Sequence, residues 1–300
     1  QFAWLARMNR ACSSVVMTPS NPERAGNGAK KSGSTGVGIV VRVAANGDGP
    51  QVGSRVVGFG EGGGFAALRV LDVADLAVVP DGVDLGEAAA LPVAAGTALR
   101  ALEQTGPLLG RRVLVTGASG GVGGFAVQLA VLGGAYVIGV AGSEDGRRWV
   151  DGLGADEAVS GPERVTRSVD IVIDNVGDAQ LVTAYGLLAS GGTLRSVGWA
   201  SGGEAARSAG SGSTLGRPGG EAALPVGSTL GSPAPRSIVS VHNGGGLTYR
   251  RAQLDRLLAL VAAGKLRVPV GWRGPWVKVA DAVAALSERR LRGKAVLDVG

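Results

Sequence analysis

The stretch VLVTGASGGVGGFAVQLAVLGGAYVIGVAGS, residues 113–143, decides how the whole chain is interpreted. It contains no charged side chain, although Arg112 and Glu144 flank it directly. Such a segment could cross a membrane, form a buried core or bind a nucleotide. A membrane helix needs about 20 apolar residues of one helical habit, whereas pairs of glycines interrupt this stretch. The membrane interpretation is therefore disfavoured, and we predict no membrane partner.

The same stretch has the pattern of a strand, a tight loop, a helix and a second strand. Residues 113–116 and 135–140 are short runs of strand formers, and a glycine-rich loop follows the first run. Val122, Ala126 and Leu129 stand at helical spacing between them. A parallel strand that helices cover on both faces is continuously apolar, which explains the missing charges. The sequence predicts a βαβ unit of a doubly wound parallel sheet.

The loop between the first strand and the helix fits the pattern A-x-G-x-x-G. Gly120 would let the backbone approach a pyrophosphate, whose charge is favourable at a helix N-terminus. Gly123 would let the helix lie close to the first strand. Ala118 takes the place of the first glycine of the usual motif, which is tolerable if its φ stays negative. We predict that six residues bind the pyrophosphate of a dinucleotide: Ala118, Ser119, Gly120, Gly121, Val122 and Gly123.

The end of the second predicted strand favours NADP(H) over NAD(H). An NAD site has Asp or Glu about 20 residues after the glycine-rich loop, and this residue binds the ribose 2′-hydroxyl. Here Gly142 occupies that place and Ser143 follows it. Arg147 and Arg148 lie within reach of a 2′-phosphate, although two acidic residues precede them. The alternative is that both arginines belong to a solvated helix face. We predict that Gly142, Ser143 and the two arginines bind NADP(H).

The composition excludes several classes of site. The net charge is +6, but the 30 lysines and arginines are scattered, so no nucleic-acid partner is expected. The chain has one cysteine, Cys12, and one histidine, His242. Protein zinc sites need three or four ligands and draw mainly on these residue types, so no metal site is predicted. A single cysteine forms no internal disulfide, which agrees with a cytoplasmic location.

A loop of this kind also occurs in the short-chain dehydrogenases, which form a rival interpretation. That family has the loop near its N-terminus and uses a Tyr-x-x-x-Lys pair. Here the loop follows residue 112, and none of the three tyrosines has the lysine. Tyr136, Tyr185 and Tyr249 are followed four residues later by Val140, Ala189 and Gln253. The rival interpretation therefore fails.

Seven segments occur in the order of another family, between residues 36 and 299: GVGIVVRV, VGSRVVGFGEGGGFAALRV, EAAALPVAAGTALRALEQTGPLLGRRVLVTGASGGVG, LGADEAV, VDIVIDNVG, GGTLRSVG and RGKAVLDV. The chain resembles the medium-chain dehydrogenases, and most closely their zinc-free quinone oxidoreductase, or zeta-crystallin, branch. The resemblance covers roughly residues 36–199 and 253–299. It implies an α/β fold: a six-stranded Rossmann sheet, doubly wound and parallel, beside a partly open, GroES-like β-barrel catalytic domain that is N-terminally incomplete.

The implied domains are a first part of the catalytic domain over residues 1–93, atypical before 36, and a Rossmann NADP-binding domain over 94–239. Residues 240–300 return to the catalytic domain. Residues 201–235 depart from the family and are rich in Gly, Ser and Pro, so we expect a solvated loop there. A lid over the cofactor cleft is the alternative for this segment.

The resemblance also assigns residues to the nicotinamide side of the site. Asn9 and Thr97 would position the ring, and Lys294 lies in a C-terminal loop that folds back toward the cofactor. Two loops that follow the fourth and fifth strands would supply the remaining contacts: Asn175, Val176, Gly177, Val197 and Gly198.

The function that follows is an NADPH-dependent oxidoreductase that transfers hydride to a quinone or an α,β-unsaturated carbonyl without zinc. Its partner is a small-molecule substrate, and the resemblance also allows a homodimer. Two alternatives stay open. One is a non-catalytic NADPH-binding relative, and the other is the enoyl-reductase part of a larger synthase.

Overall fold

The computed structural model describes residues 4–7, 33–43, 48–61, 68–198, 221–223, 236–240, 251–288 and 290–298. These residues divide into two compact units. One lies within Gln1–Gly96 and Gly246–Gly300, and the other lies within Thr97–Gly245. The functional domain boundaries inferred from the sequence, at residues 94 and 240, stay a prediction.

The first unit contains a five-stranded antiparallel sheet with the order β4-β1-β2-β3-β5. Its strands are β1 (Trp4–Arg7), β2 (Gly33–Arg42), β3 (Arg55–Glu61), β4 (Leu68–Leu71) and β5 (Leu76–Val78). Val40, Val56, Leu71 and Leu76 form a buried cluster on this sheet. Alternation of buried and exposed residues along β4 is typical of an antiparallel strand with one face on the core. The predicted β-rich domain, separate from the Rossmann sheet, is confirmed.

Three helices and a second, two-stranded sheet complete the first unit. The helices are α1 (Leu85–Ala90), which continues into a π-helical turn, α6 (Arg251–Ala262) and α7 (Val279–Ser287). Strands β13 (Val270–Pro275) and β14 (Lys294–Asp298) pair in parallel. Asp84 accepts a hydrogen bond from the Glu87 amide and so caps the N-terminus of α1.

The second unit is built on a seven-stranded sheet with the order β11-β12-β10-β9-β6-β7-β8. Its strands are β6 (Arg112–Val115), β7 (Tyr136–Val140), β8 (Glu157–Val159), β9 (Val169–Asp174), β10 (Leu188–Ser196), β11 (Glu221–Ala223) and β12 (Ser237–Ser240). Its helices are α2 (Gly96–Glu103), α3 (Gly123–Leu132), α4 (Glu144–Asp151) and α5 (Asp178–Gly186). Without β11, six parallel strands follow the Rossmann order 3-2-1-4-5-6. The predicted doubly wound sheet is confirmed.

Strand β11 corrects the interpretation of residues 201–235. Glu221–Ala223 pairs antiparallel with Ser237, Ile238 and Val239 of β12, so part of the predicted solvated loop belongs to the sheet. The composition of the segment argued against a packed core, but strand pairing uses backbone groups that every non-proline residue carries. The sheet therefore has one antiparallel edge strand more than the six predicted.

Burial explains why the opening stretch carries no charge. Val113, Leu114 and Val115 of β6 are completely buried, as are Val137 and Ile138 of β7. The first eight residues of α3, Gly123 to Ala130, are buried as well, and Gln128 is the one polar side chain among them. Each fully buried aliphatic side chain contributes roughly 1.5–3 kcal/mol. A charged side chain at any of these buried positions would lie in the core of the unit.

Candidate functional site

The glycine-rich loop lies at the carboxyl end of β6, where doubly wound sheets bind their ligands. The turn is made by Gly117, whose φ is +59°. The Gly120 amide donates to the Gly117 carbonyl oxygen at 2.9 Å, and the Ala118 amide donates to the Val140 carbonyl oxygen at 2.9 Å. Asp178 is the one non-glycine residue with positive φ in the described part of the chain, so Ala118 avoids that region. Sequence reasoning missed Gly117, although it directly precedes the predicted motif.

Two glycines of the loop differ in what surrounds them. A Cβ on Gly123 would lie 2.2 Å from the Gly117 carbonyl oxygen and 2.8 Å from the Ala118 Cα atom. Gly123 thus lets α3 pack on the loop itself rather than on the strand before it, which corrects the reason given from the sequence. A Cβ on the exposed Gly120 would have only the Gly117 carbonyl oxygen nearby, at 3.1 Å. Gly120 is therefore open on its exposed side, and its contact with a pyrophosphate stays a prediction.

The carboxyl end of β7 provides the second part of the site. Gly142 is exposed, and a Cβ there would meet nothing within 4 Å. The Ser143 hydroxyl accepts a hydrogen bond from the Gly146 amide at 3.0 Å and caps α4. A Cβ on Gly146 would lie 3.4 Å from the Ser119 hydroxyl oxygen, so the first turn of α4 adjoins the glycine-rich loop. Open space beside a glycine at this edge fits the ribose of a dinucleotide.

The structure separates the two arginines of α4. The Arg147 guanidinium donates to the carbonyl oxygens of Ala141 and Gly142, at 3.3 and 3.2 Å, and so lies over the end of β7. Arg148 instead forms ion pairs with Glu144 and Asp145 on the exposed face of the helix. Neighbouring helical residues point about 100° apart, which explains the difference. Only Arg147 is directed at the predicted 2′-phosphate position.

A buried carboxylate joins the loops on the other side of the site. Asp174, the last residue of β9, is completely buried. Its carboxylate accepts from the Thr116 hydroxyl at 2.6 Å and from the Gly177 amide at 3.0 Å. Its carbonyl oxygen accepts from the amides of Val197 and Gly198, at 2.7 and 3.3 Å. Burial raises the pKa of Asp174, and the hydrogen bonds from Thr116 and Gly177 offset part of that rise.

Thr116 was missed as a site residue from the sequence, which indicated Asp174 only as the residue that closes the fourth strand. The signal available was an acidic residue that ends an apolar strand, in VDIVIDNVG, and a threonine that ends another, in VLVTG. Their contact spans 58 positions of the chain, and nothing in either segment indicates it.

Unpaired polar atoms lie next to this carboxylate. The side-chain Nδ2 of Asn175 donates to the Thr116 carbonyl oxygen at 2.8 Å. The Oδ1 atom of Asn175 is buried and has no hydrogen-bond partner among the described residues. The Ser196 hydroxyl, at the end of β10, is in the same state. Buried polar groups are normally paired, so such atoms call for a ligand or solvent. Together with the glycine-rich loop they fit a dinucleotide along the carboxyl edge of the sheet.

The other predicted site residues have different surroundings. Thr97 is completely buried in α2, and its hydroxyl accepts from Arg100 at 3.4 Å. Lys294 lies in the first unit, at the start of β14, and is only 5% exposed. Asn9 lies outside the described residues. The binding roles of these three residues stay predictions.

No group of three or more His, Cys, Asp or Glu side chains able to hold a metal ion occurs among the described residues. Cys12 and His242 lie outside them. No helix in the described part of the chain is both long enough and apolar enough to span a membrane.

Similarity to known proteins agrees with this geometry. A family described as zinc-binding dehydrogenase matches residues 153–297. A quinone oxidoreductase of Pseudomonas aeruginosa is 32% identical over 280 residues, which cover 88% of this chain and 81% of that protein. The erythronolide synthase EryA2 of Saccharopolyspora erythraea is 35% identical over 179 residues, 55% of this chain but only 5% of the synthase.

The fold is also similar to a solved structure, the quinone oxidoreductase from Coxiella burnetii. The TM-score is 0.77 at 24% sequence identity, and the match covers 99% of this chain and 90% of that one. The resemblance inferred from the sequence is confirmed by the extent of the similarity to the Pseudomonas protein. The chain is therefore a nicotinamide-cofactor oxidoreductase that belongs to the medium-chain dehydrogenase/reductase superfamily, in its quinone oxidoreductase branch.

Proposed function

We propose that the chain is an NADPH-dependent oxidoreductase that transfers hydride to a quinone or an α,β-unsaturated carbonyl without zinc. The surroundings of Gly142 and Arg147, at the end of β7, support the choice of NADPH as cofactor. Gly142 stands there with open space around it, and the Arg147 guanidinium rests on the carbonyl oxygens of Ala141 and Gly142. An acidic residue in place of Gly142 would repel a 2′-phosphate, whereas a guanidinium pairs with one.

Arg147 is the better candidate because its guanidinium is available. No carboxylate in the described part of the chain forms an ion pair with it, whereas Arg148 already has two. A phosphate would therefore compete only with backbone carbonyls for Arg147. For Arg148 it would have to displace two acidic side chains. We assign the 2′-phosphate to Arg147 and reinterpret Arg148 as part of the solvated helix face.

Bound NADPH supplies the hydride, and the residues of the chain bind and orient it. The backbone of Gly120 and the N-terminus of α3 would hold the pyrophosphate. The unpaired Oδ1 of Asn175 and the Ser196 hydroxyl support polar contacts on the nicotinamide side. A quinone can take its protons from water once hydride has been transferred, so no dedicated acid is required. With one cysteine and one histidine in the chain, zinc has too few of its usual ligands.

Cofactor affinities test the proposal. NADPH should bind several-fold more tightly than NADH, because only NADPH places a phosphate beside Arg147. Arg147→Ala should remove most of this preference, since a charge-assisted hydrogen bond contributes about 1.5–3 kcal/mol. Arg148→Ala is the matched control and should keep the preference. Equal affinity of the parent protein for both cofactors in a fluorescence titration would contradict the assignment.

A second candidate is the enoyl-reductase part of a synthase. The similarity to EryA2 favours it, because the match covers 55% of this chain at 35% identity. Turnover of an enoyl thioester with no turnover of quinones would support this candidate. Binding of NADPH without turnover of any quinone, enone or enoyl thioester would instead indicate a non-catalytic relative. A cytoplasmic location and a homodimer also stay proposals.

A further inference from the structure

Asp174 and Thr116 connect three loops of the site that are far apart in the chain. Thr116 begins the glycine-rich loop after β6, and its hydroxyl donates to the Asp174 carboxylate at 2.6 Å while accepting from the Asn175 amide at 3.0 Å. The other carboxylate oxygen accepts from Gly177, in the loop between β9 and α5. The Asp174 carbonyl oxygen accepts a hydrogen bond from the amide of Val197, which directly follows β10. Every one of these bonds lies at the same edge of the sheet.

The contacts also bring the loops very close together. A Cβ on Gly117 would lie 3.1 Å from Val176 Cγ2 and 3.4 Å from the Asn175 Cβ atom. A Cβ on Gly198 would lie 3.0 Å from the Asn175 carbonyl oxygen. The spacing between the pyrophosphate loop and the loops on the nicotinamide side is therefore determined by the groups that bond Asp174 and Thr116.

Burial of the Asp174 carboxylate costs folding free energy. A role in this geometry would explain why the residue is placed there. The carboxylate is completely buried, no positively charged side chain pairs with it in the described part of the chain, and Thr116 and Gly177 provide neutral donors. Burying a carboxyl group in this way gives up much of its hydration. Two apolar side chains could pack the same space, but they could not form the hydrogen bonds that join the loop after β6 to the loop after β9.

We infer that Thr116 and Asp174 are positioning residues that set the distance between the pyrophosphate loop and the nicotinamide-side loops, and so select a full dinucleotide over its adenosine part. The inference rests on the proposed dinucleotide site, but not on the choice between NADPH and NADH. The adenosine end, at Gly142 and Arg147, makes none of the hydrogen bonds of this network. Loosening the network should therefore weaken binding of one half of the cofactor only.

The test removes the hydroxyl with Thr116→Val and restores it with Thr116→Ser. Thr193→Val is the matched control, because it removes a threonine hydroxyl from β10 of the same sheet, where the partner is Ser237. Each protein is titrated with NADPH, NADH and 2′,5′-ADP. In the absence of ligand, hydrogen exchange is measured at the amides of Asn175 and Gly177.

We expect Thr116→Val to bind the dinucleotides roughly tenfold more weakly, as for one buried hydrogen bond lost. Its affinity for 2′,5′-ADP should stay within about twofold, because this ligand lacks the nicotinamide half of the dinucleotide. The amides of Asn175 and Gly177 should exchange faster, and amides of β7 should not. Thr116→Ser should recover most of the dinucleotide affinity, and Thr193→Val should bind all three ligands like the parent protein.

Equal loss of affinity for 2′,5′-ADP and the dinucleotides would overturn the inference, as would unchanged dinucleotide binding or unchanged amide exchange. If Thr116→Val does not fold, Asp174→Asn takes its place, since it keeps the volume and one accepting oxygen. Failure of both variants to fold would also overturn the inference, because the network would then serve the fold. A parent protein that binds neither dinucleotide would contradict the proposed function, and the exchange rates would still decide on the network.

Discussion

Single atoms decide what the glycines of the loop do. Gly123 has no room for a side chain because the backbone of Gly117 and Ala118 occupies the space where a Cβ would lie. Gly120 has one close neighbour, the Gly117 carbonyl oxygen, and is otherwise exposed. Gly123 is thus required by the packing of α3, whereas we propose that Gly120 is required by the approach of a ligand.

Alanine substitutions should separate these two roles. Gly123→Ala should lower the free energy of unfolding by about 1–3 kcal/mol, because overpacking against backbone cannot be relieved easily. Gly120→Ala should cost less stability but weaken dinucleotide binding more strongly than its stability loss explains. Thermal unfolding and ligand titration of both variants measure the two effects. Equal loss of stability in the two variants, with equal binding, would contradict the assigned roles.

Lys294 gives the residue scale a pH-dependent prediction. Burial lowers the pKa of its amine to about 8, whereas an unfolded lysine titrates near 10.4. Between these values the unfolded chain binds more protons, so the free energy of unfolding should rise with pH from about 8 to about 10.4. Lys294→Met should abolish this rise and gain up to about 3 kcal/mol at pH 7. Denaturant titrations across this range test it, and an unchanged pH slope in the variant would refute it.

At the scale of elements, one arginine connects strands β13 and β14 to the N-terminus of helix α1. Arg273 of β13 donates to both carboxylate oxygens of Asp298 in β14, at 2.9 and 3.1 Å, and to Asp84 at 2.9 Å. Asp84 in turn caps α1 through the Glu87 amide. Burial opposes the ionisation of Asp84, but the bonds from Glu87 and Arg273 outweigh it and hold its pKa below the ordinary value.

Removing that guanidinium should cost stability only where Asp84 is ionised. The side chains involved are partly exposed, so Arg273→Gln should lower the free energy of unfolding by about 1 kcal/mol at pH 7. The contribution is complete above about pH 4 and is lost as the pH falls through the lowered pKa of Asp84. Arg273→Lys, as control, should retain part of it. Urea unfolding at several pH values measures the difference, and a difference that persists at pH 2 would contradict this account.

The elements near the site show what the sequence can predict. Residues 113–143 indicated strand, loop, helix and strand, and the structure has β6, α3 and β7 there, because burial on both faces imposes a continuous apolar pattern. The different directions of Arg147 and Arg148 were not predictable from the sequence. Both residues are arginines and suit a phosphate, and only their positions around the helix distinguish them. The contact between Thr116 and Asp174 was hidden because it depends on long-range strand pairing.

For the whole molecule, the order of segments determined more than any one motif. The glycine-rich loop alone suits several families, but seven segments in sequence indicated both the Rossmann sheet and the β-rich unit. Strand β11 escaped this reasoning because composition informs about side-chain burial, whereas an edge strand needs only backbone partners. For the molecule as a whole, we propose an NADPH-dependent reductase that works without zinc.

Hydride transfer by chelator-treated protein tests this claim most directly. After prolonged treatment with a strong zinc chelator and elemental analysis, the protein is mixed with NADPH or NADH and a panel of quinones and enones. Loss of the reduced-cofactor absorbance reports turnover. The account predicts turnover of at least one quinone or enone with NADPH, at a kcat/KM several-fold higher than with NADH and unchanged by added zinc. Activity that appears only when zinc is restored, or that is equal with both cofactors, would contradict it.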